Sequence, residues 1–137
     1  MIQVKALNEE TNKVLDFYVS NTLPDLSLFI ECLNYIRYGW SRNWRCVDHT
    51  HVSTSEDSQP PRYEMKYIIF EDESDKEHIL VFDKSINHDY MALAFGHMSD
   101  EYYKPVSAGF TNGISCYGES ETLRIASRET DTGLVYV

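Results

Sequence analysis

The sequence has few cysteines, and this scarcity excludes one class of small protein. Among 137 residues, Cys32, Cys46 and Cys116 are odd in number and widely spaced. A disulfide framework needs paired cysteines, so the core has to be stabilised by apolar burial instead. A chain of this length can bury such a core in one domain. We therefore expect a single domain over residues 1–137 in a reducing, cytoplasmic compartment.

Long apolar runs are also missing. No run approaches the length that crosses a bilayer, and residues 1–5 lack the basic-then-apolar pattern of a signal peptide. The sequence therefore predicts a soluble intracellular protein with no membrane partner.

Basic residues are scarce relative to acidic ones. Twelve Lys and Arg against 22 Asp and Glu give a net charge of −10. A surface of this sign repels nucleic-acid backbones and anionic membranes, so we expect no nucleic-acid partner. The acid concentrates at residues 71–77. This stretch fits a solvated loop tip, and it equally fits a surface that imitates nucleic acid and binds a basic protein.

Familiar enzyme motifs are absent from the sequence. It contains no P-loop, dinucleotide fingerprint or metalloprotease helix. Residues 118–122 begin like a nucleophile elbow but lack its second glycine. A triad of Ser120, His88 and an aspartate stays open, because triads are defined by geometry rather than by order. The interpretation we favour is a protein that is not an enzyme.

Metal ligands are few and badly spaced. Cys46, His49 and His51 stand close together, but the chain offers no second pair of ligands. A structural zinc usually takes four ligands in two such pairs. We therefore expect neither a metal nor another cofactor.

Apolar patterning predicts an α+β fold, with an antiparallel sheet built from hairpins and one long and one short helix. Alternation over residues 2–7 and 13–19 predicts an N-terminal hairpin. Residues 62–70 and 78–82 are the clearest strands, and we expect them to form a second hairpin at the centre of the sheet.

Two segments have the periodicity of helices. Thr22 and Asp25 resemble an N-cap and capping acid, followed by an apolar stripe at Leu26, Phe29, Ile30, Leu33, Ile36 and Trp40. Residues 85–95 predict a short helix capped by Ser85 or Asn87, with His88 in its first turn. That histidine either packs and caps, or points at a ligand.

Residues 40–45 combine two tryptophans with two arginines. Such a set can stack a base and hold a phosphate. The same set also fits ordinary anchoring of the helix end against the core, because tryptophans bury large areas. Both interpretations stay open.

Residues 105–128 carry the candidate ligand site. Asn112-Gly113 predicts a tight hairpin turn, and no helix is expected in the tail that follows. Small and hydroxyl residues suit close approach to phosphate or ribose oxygens, and arginine forks match phosphate geometry. The alternative is a glycine-rich hairpin with two surface arginines. The predicted ligand-binding residues are Ser107, Gly109, Phe110, Tyr117, Ser120, Arg124, Arg128 and His88, with Phe110, Tyr117 or Trp40 stacking a base.

The order of motifs from Phe82 onward resembles a family of phage proteins, the first-described Thoeris anti-defence signal sponges. The resemblance rests on Phe82, His88, Met91 with Ala92, residues 106–110, residues 116–120, Leu123, residues 127–128 and residues 131–132. It implies a non-enzymatic homo-oligomer in the host cytosol that sequesters cyclised ADP-ribose unmodified, and that also binds cyclic oligonucleotides at separate sites. The N-terminal half carries no motif of this family.

Overall fold

A computed structural model describes residues 2–20, 28–51, 64–112 and 115–135, with the backbone alone at 48–51 and 134–135. The chain forms nine strands and three α-helices within these ranges. The strands are β1 Ile2–Asn8, β2 Val14–Val19, β3 Trp44–His51, β4 Met65–Glu71, β5 Glu77–Phe82, β6 Lys104–Thr111, β7 Cys116–Tyr117, β8 Glu119–Ser120 and β9 Ile125–Ala126. The helices are α1 Leu28–Tyr35, α2 His88–Met98 and α3 Asp131–Val135, with a 3₁₀ turn at Tyr38–Trp40.

The first seven strands form one antiparallel sheet in the order β3-β1-β2-β5-β4-β6-β7. Strands β8 and β9 make a separate two-stranded ribbon. The predicted α+β class is confirmed, as are the N-terminal hairpin β1–β2 and the central hairpin β4–β5. Consecutive hairpins account for most pairings, and short local connections favour this arrangement.

The main core lies between the sheet and helices α1 and α2. Phe29 of α1 and Phe95 of α2 stack with ring centroids 6.0 Å apart, and Phe95 stacks on Phe70 of β4 at 4.4 Å. Phe17 of β2 completes the aromatic column at 6.2 Å from Phe29. Offset aromatic stacking adds to the apolar area that these side chains bury.

The central strands are buried on both faces of the sheet. Alternate residues of β4 face the helices, while Tyr67 and Ile69 belong to a second cluster on the other face. Their near-continuous apolar sequence reflects this double burial.

The first helix matches its predicted stripe only in part. Phe29, Ile30 and Leu33 are buried, and Ile36 packs against the core just after the helix ends. Trp40 was wrongly assigned to this stripe, because its side chain is 96% exposed. The predicted start at Thr22 and Asp25, and Leu26, lie outside the described residues.

The second helix begins where expected and ends later than expected. Asn87 is its N-cap, although its side chain makes no capping hydrogen bond, and the helix continues to Met98. The expectation of a tail without helix is wrong, because α3 occupies residues 131–135. None of the helices within the described residues is long and apolar enough to cross a bilayer.

The pairing of β6 with β7 differs from the pairing that the predicted two-residue turn requires. A turn centred on Asn112-Gly113 would pair Thr111 with Ile114, whereas Thr111 pairs with Cys116. The Asn112 side chain closes the loop instead, because its Oδ1 accepts the Ser115 N–H at 3.0 Å. Residues 113–114 lie outside the described residues.

Candidate ligand-binding site

Two clefts flank the start of α2 and share Asn87. The first, called the charged cleft here, has a volume of about 350 Å³ and is lined by Lys66, Asn87, His88, Phe110, Glu119, Glu121 and Thr122. The second, the aromatic cleft, has about 320 Å³ and is lined by Ile36, Arg37, Tyr38, Gly39, Trp40, Ser85, Ile86, Asn87 and Tyr90. Ligand sites in proteins commonly occupy concave volumes of this size.

The loop from β5 to α2 fixes where these clefts meet. Asp83 accepts the Ser85 N–H at 2.9 Å, which tightens the turn before the helix. The Lys66 ammonium of β4 donates to the Ile86 carbonyl at 2.9 Å. These bonds hold the segment before Asn87 against the sheet, so the two clefts open on either side of one fixed segment.

Trp40 stands at the rim of the aromatic cleft in an unusual backbone conformation. Its φ is +61°, and Arg37 (φ +52°) and Gly39 (φ +67°) are also left-handed. A left-handed residue other than glycine costs about 1–2 kcal/mol. The chain therefore holds a large apolar side chain in solvent at an energetic cost, and such strain recurs at functional sites.

Trp44 anchors the segment after the first helix against the core, which is one of the two interpretations that the sequence allowed. Its side chain is buried, its Nε1–H donates to the Tyr38 carbonyl at 2.9 Å, and its ring lies 5.7 Å from the Tyr38 ring. Of the two tryptophans, Trp44 belongs to the core, whereas Trp40 is available to a ligand. Arg45 in the same segment pairs with Glu9 at 2.6 Å, with both side chains largely exposed.

His88 is a packed residue that also lines the charged cleft. Its Nε2–H donates to the Gly109 carbonyl at 2.9 Å, and its ring meets Phe82 and Phe110 edge-on. Burial lowers the pKa of His88, although the bond to Gly109 works in the opposite direction. The imidazole is therefore neutral at pH 7 and adds no positive charge to the cleft.

The charged cleft brings one ammonium together with two carboxylates. Burial lowers the pKa of Lys66, and the nearby carboxylates Asp83 and Asp89 partly offset this effect. Glu119 and Glu121 come from the β8–β9 ribbon and are exposed. The cleft therefore offers acceptors as well as a donor.

Ser120 closes its own turn. Its Oγ accepts the Leu123 N–H at 3.1 Å and lies 3.4 Å from Thr122 Oγ1. Thr122 in turn accepts the Asp89 N–H of α2 at 3.2 Å, which docks the ribbon on the helix. In the described hydrogen bonds, Ser120 is bonded within its own turn and His88 is bonded to Gly109, so the two side chains are not bonded to each other as a catalytic triad requires.

Arg128 is engaged by two carboxylates away from both clefts. Its guanidinium donates to Glu77 at 2.5 Å and to Asp131 at 2.9 Å. The carboxylate of Asp131, which is fully buried, also accepts the Tyr67 hydroxyl at 2.6 Å. These contacts give Arg128 a structural role, and its phosphate contact stays a prediction. Arg124 is exposed on the ribbon turn with φ +56° and does not line either cleft as described.

Ser107 and Tyr117 do not line the charged cleft as described. Ser107 is buried near Asp131 and helps to hold the pKa of that carboxylate down. Tyr117 stacks on Phe110 with centroids 6.4 Å apart, and its hydroxyl donates to Glu64 at 2.6 Å. His88 and Phe110 are therefore the two predicted ligand residues that line this cleft directly.

Sequence reasoning missed several residues that line the clefts. Lys66 had a usable signal, because it is the sole cationic side chain within the apolar central strand β4. Glu119, Glu121 and Tyr90 had none, since acidic and aromatic residues are frequent throughout this chain. The side chains of His49 and His51 lie outside the described residues, so the expectation of no metal at Cys46 stays a prediction. Elsewhere in the described part of the chain no group of His, Cys, Asp or Glu is placed to hold a metal.

Gly109 is required by the close pairing of β6 and β7. A Cβ at this position would approach the Tyr117 carbonyl closer than 3.0 Å. We expect Gly109→Ala to lower the free energy of unfolding by about 1–3 kcal/mol through overpacking, measured by urea denaturation. Gly96→Ala is the matched control, because open space surrounds Gly96 on α2 and alanine favours a helix by about 0.5–1 kcal/mol. Equal stability of the two variants would contradict the steric argument.

Comparisons with protein-family models, with curated proteins and with solved structures gave no match for this chain. The fold and the clefts define it as a small α+β domain with two adjoining concave surfaces.

Proposed function

We propose that this protein captures a small nucleotide-type ligand without converting it. The planar base lies against Trp40 in the aromatic cleft, and the sugar with its substituents enters the charged cleft. The observation that carries the proposal is Trp40 itself, which is 96% exposed on a left-handed backbone at the rim of a cleft. Aromatic stacking contributes about 1–3 kcal/mol per base and tolerates different bases.

The neighbouring polar groups suit the rest of such a ligand. Asn87 lies between the clefts and offers both a donor and an acceptor. Lys66 supplies a cation, while Glu119 and Glu121 supply acceptors for sugar hydroxyls. A ligand that spans both clefts would therefore find a stacking surface at one end and polar partners at the other.

Capture without turnover is supported by how the reactive side chains are engaged. Ser120 accepts a backbone N–H from its own turn, and the Nε2–H of His88 is held by Gly109. A nucleophile needs an adjacent base within hydrogen-bond reach. Because each group has another partner, binding is the simpler use of this site.

The resemblance to phage signal sponges gives the class of ligand a first candidate. Under that interpretation the ligand is cyclised ADP-ribose or a cyclic oligonucleotide, and the protein opposes a host defence in the infected cell. A homo-oligomer with pockets at its interface belongs to the same proposal.

A thermal-shift series tests the proposed ligand class. The probes are adenosine, AMP, cyclised ADP-ribose and cyclic di- and trinucleotides, each at millimolar concentration. A ligand that binds the folded state raises the Tm, and we expect at least one probe to do so in the wild type and less in Trp40→Ala. The absence of a shift with every probe would contradict nucleotide capture.

A second candidate function is binding of a basic protein through the acidic tip. The tip at residues 71–77 is enlarged by Asp100 and Glu101, which share with it a cleft of about 290 Å³. Part of the tip is engaged internally, because Asp72 binds His78 at 2.8 Å and Glu77 pairs with Arg128. The other acidic side chains of the tip, which are exposed, would have to bind the basic protein.

The two functions respond differently to loss of charge at the tip. We expect Glu73→Gln with Asp75→Asn to leave nucleotide affinity unchanged, because exposed charges are screened beyond about 8–10 Å at physiological salt. Calorimetric titration measures the affinity, and a phage-defence assay measures the activity. If activity collapses while affinity survives, the acidic surface rather than the clefts carries the function.

A further inference from the structure

We infer that the charged cleft selects nucleoside-type ligands of low negative charge and discriminates against a pyrophosphate. This inference rests on the proposed function and concerns the same site. Glu119 and Glu121 are the residues that set the specificity, acting through their charge.

The charges that line the cleft do not favour a polyanion. Lys66 is the one cationic side chain among the described residues that line it, and two carboxylates accompany it. The Lys66 ammonium already donates to the Ile86 carbonyl. His88 is neutral at pH 7 and adds no positive charge to the cleft. A ligand phosphate entering here would meet more negative than positive charge.

The start of α2 has little left to offer a phosphate. Backbone N–H groups in a first helical turn commonly bind anions. Here the Asp89 N–H donates to Thr122 Oγ1 at 3.2 Å, and the Tyr90 N–H donates to Asp89 Oδ1 at 2.9 Å. Asp89 also adds a carboxylate to that first turn. The fold has therefore occupied these amide groups and placed a negative charge beside them.

The arginine best suited to phosphate lies elsewhere. The Arg128 guanidinium is held by Glu77 and Asp131, and removing it from them would leave a buried carboxylate without its cation. Sugar hydroxyls, by contrast, donate to carboxylates without any repulsion. Glu119 and Glu121 therefore suit the hydroxyl pair of a ribose better than they suit a phosphate. This distribution of charge therefore counts against cyclised ADP-ribose, the ligand that the resemblance implies, because its pyrophosphate would meet the two carboxylates, and it favours an uncharged nucleoside in this cleft.

Calorimetric titration with adenosine, AMP and ADP tests the selectivity at low salt. The expected order of affinity is adenosine at least equal to AMP, and AMP above ADP. The double variant Glu119→Gln/Glu121→Gln should bind ADP about 3- to 10-fold more tightly, as expected for removal of exposed charges near a phosphate, and adenosine no more tightly. The increase in ADP affinity should be smaller in 0.5 M salt, where the charges are strongly screened.

The matched control is Glu73→Gln/Asp75→Asn, which removes the same net charge from the acidic tip and should leave the order unchanged. Wild-type protein that binds ADP more tightly than adenosine overturns the inference while leaving nucleotide capture intact. A cleft double variant with an unchanged preference also overturns it. If none of the three probes binds, this inference fails, whereas nucleotide capture fails only if the cyclised and cyclic probes of the thermal-shift series also give no shift. If binding persists fully in Trp40→Ala, it is the stacking site that fails.

Discussion

Replacing Asp131 with alanine should lower the free energy of unfolding by about 3 kcal/mol or more. Asp131 is fully buried, and its carboxylate accepts hydrogen bonds from the Tyr67 hydroxyl and from both the side chain and the backbone N–H of Arg128. Removing one partner of a buried pair leaves the others without compensation. The substitution would also release the turn that leads into α3, because the Arg128 N–H loses its acceptor.

Urea denaturation measures this loss, and two variants sharpen the result. Asp131→Asn keeps the size of the side chain but removes its charge, so we expect an intermediate loss. Asp100→Ala removes an exposed carboxylate and should change stability by less than about 0.5 kcal/mol. A loss in Asp131→Ala no larger than that of Asp100→Ala would show that the network does not stabilise the fold.

The same carboxylate makes stability depend on pH. Burial alone would raise the pKa of Asp131, but hydrogen bonds from the Arg128 backbone, the Tyr67 hydroxyl and the Arg128 side chain outweigh it and lower the pKa below 3.8. A depressed carboxyl pKa stabilises the folded state above the unfolded value, and this contribution is lost as the pH falls through the folded value. The wild type should therefore lose more stability than Asp131→Asn between about pH 5 and pH 2.

Replacing Trp40 with alanine should weaken nucleotide binding by roughly 5- to 150-fold, the equivalent of about 1–3 kcal/mol of base stacking. Stability should not fall with it, because the indole is 96% exposed and buries almost nothing in the free protein. Trp40→Gly should even raise the free energy of unfolding by as much as about 1 kcal/mol, since glycine adopts a φ of +61° without the steric cost. A variant that is more stable and binds less is the signature of a residue retained for binding.

Tyr102→Ala is the matched control for this experiment. Tyr102 is another exposed aromatic residue, 64% accessible, and it lies beside the acidic tip rather than at either proposed cleft. We expect its removal to leave nucleotide affinity unchanged. Equal losses of affinity in the two variants would mean that the ring of Trp40 has no specific part in binding.

The hairpins of this fold could be predicted because their signal is local. Alternation along β1 and β2, and the apolar runs of β4 and β5, reflect which faces of each strand are buried. The order of the strands and the placement of α1 and α2 on one face depend on long-range packing, which periodicity does not report. The β6–β7 connection shows the limit even locally, because Thr111 pairs with Cys116 rather than with the Ile114 that a two-residue turn requires.

The candidate site was harder to predict, for a different physical reason. The sequence cannot distinguish Trp40 from Trp44. In the fold, Trp40 follows a left-handed backbone at Arg37 and Gly39 and is exposed, whereas Trp44 is buried in the core. Nor does it show that Arg128 meets Glu77, 51 residues away along the chain. A side chain can be assigned to a ligand site only when its contacts within the protein are known. Those contacts are set by the tertiary fold, which the sequence pattern does not report.

We propose that the chain holds a nucleotide-type ligand intact. The most direct measurement incubates excess protein with the nucleoside or nucleotide that gives the largest thermal shift, separates the complex, denatures it and analyses the released ligand by chromatography. We expect stoichiometric recovery of unmodified ligand from the wild type and little co-purifying ligand from Trp40→Ala. A product that accumulates with time, and that disappears in Ser120→Ala or His88→Ala, would contradict capture and make this protein an enzyme.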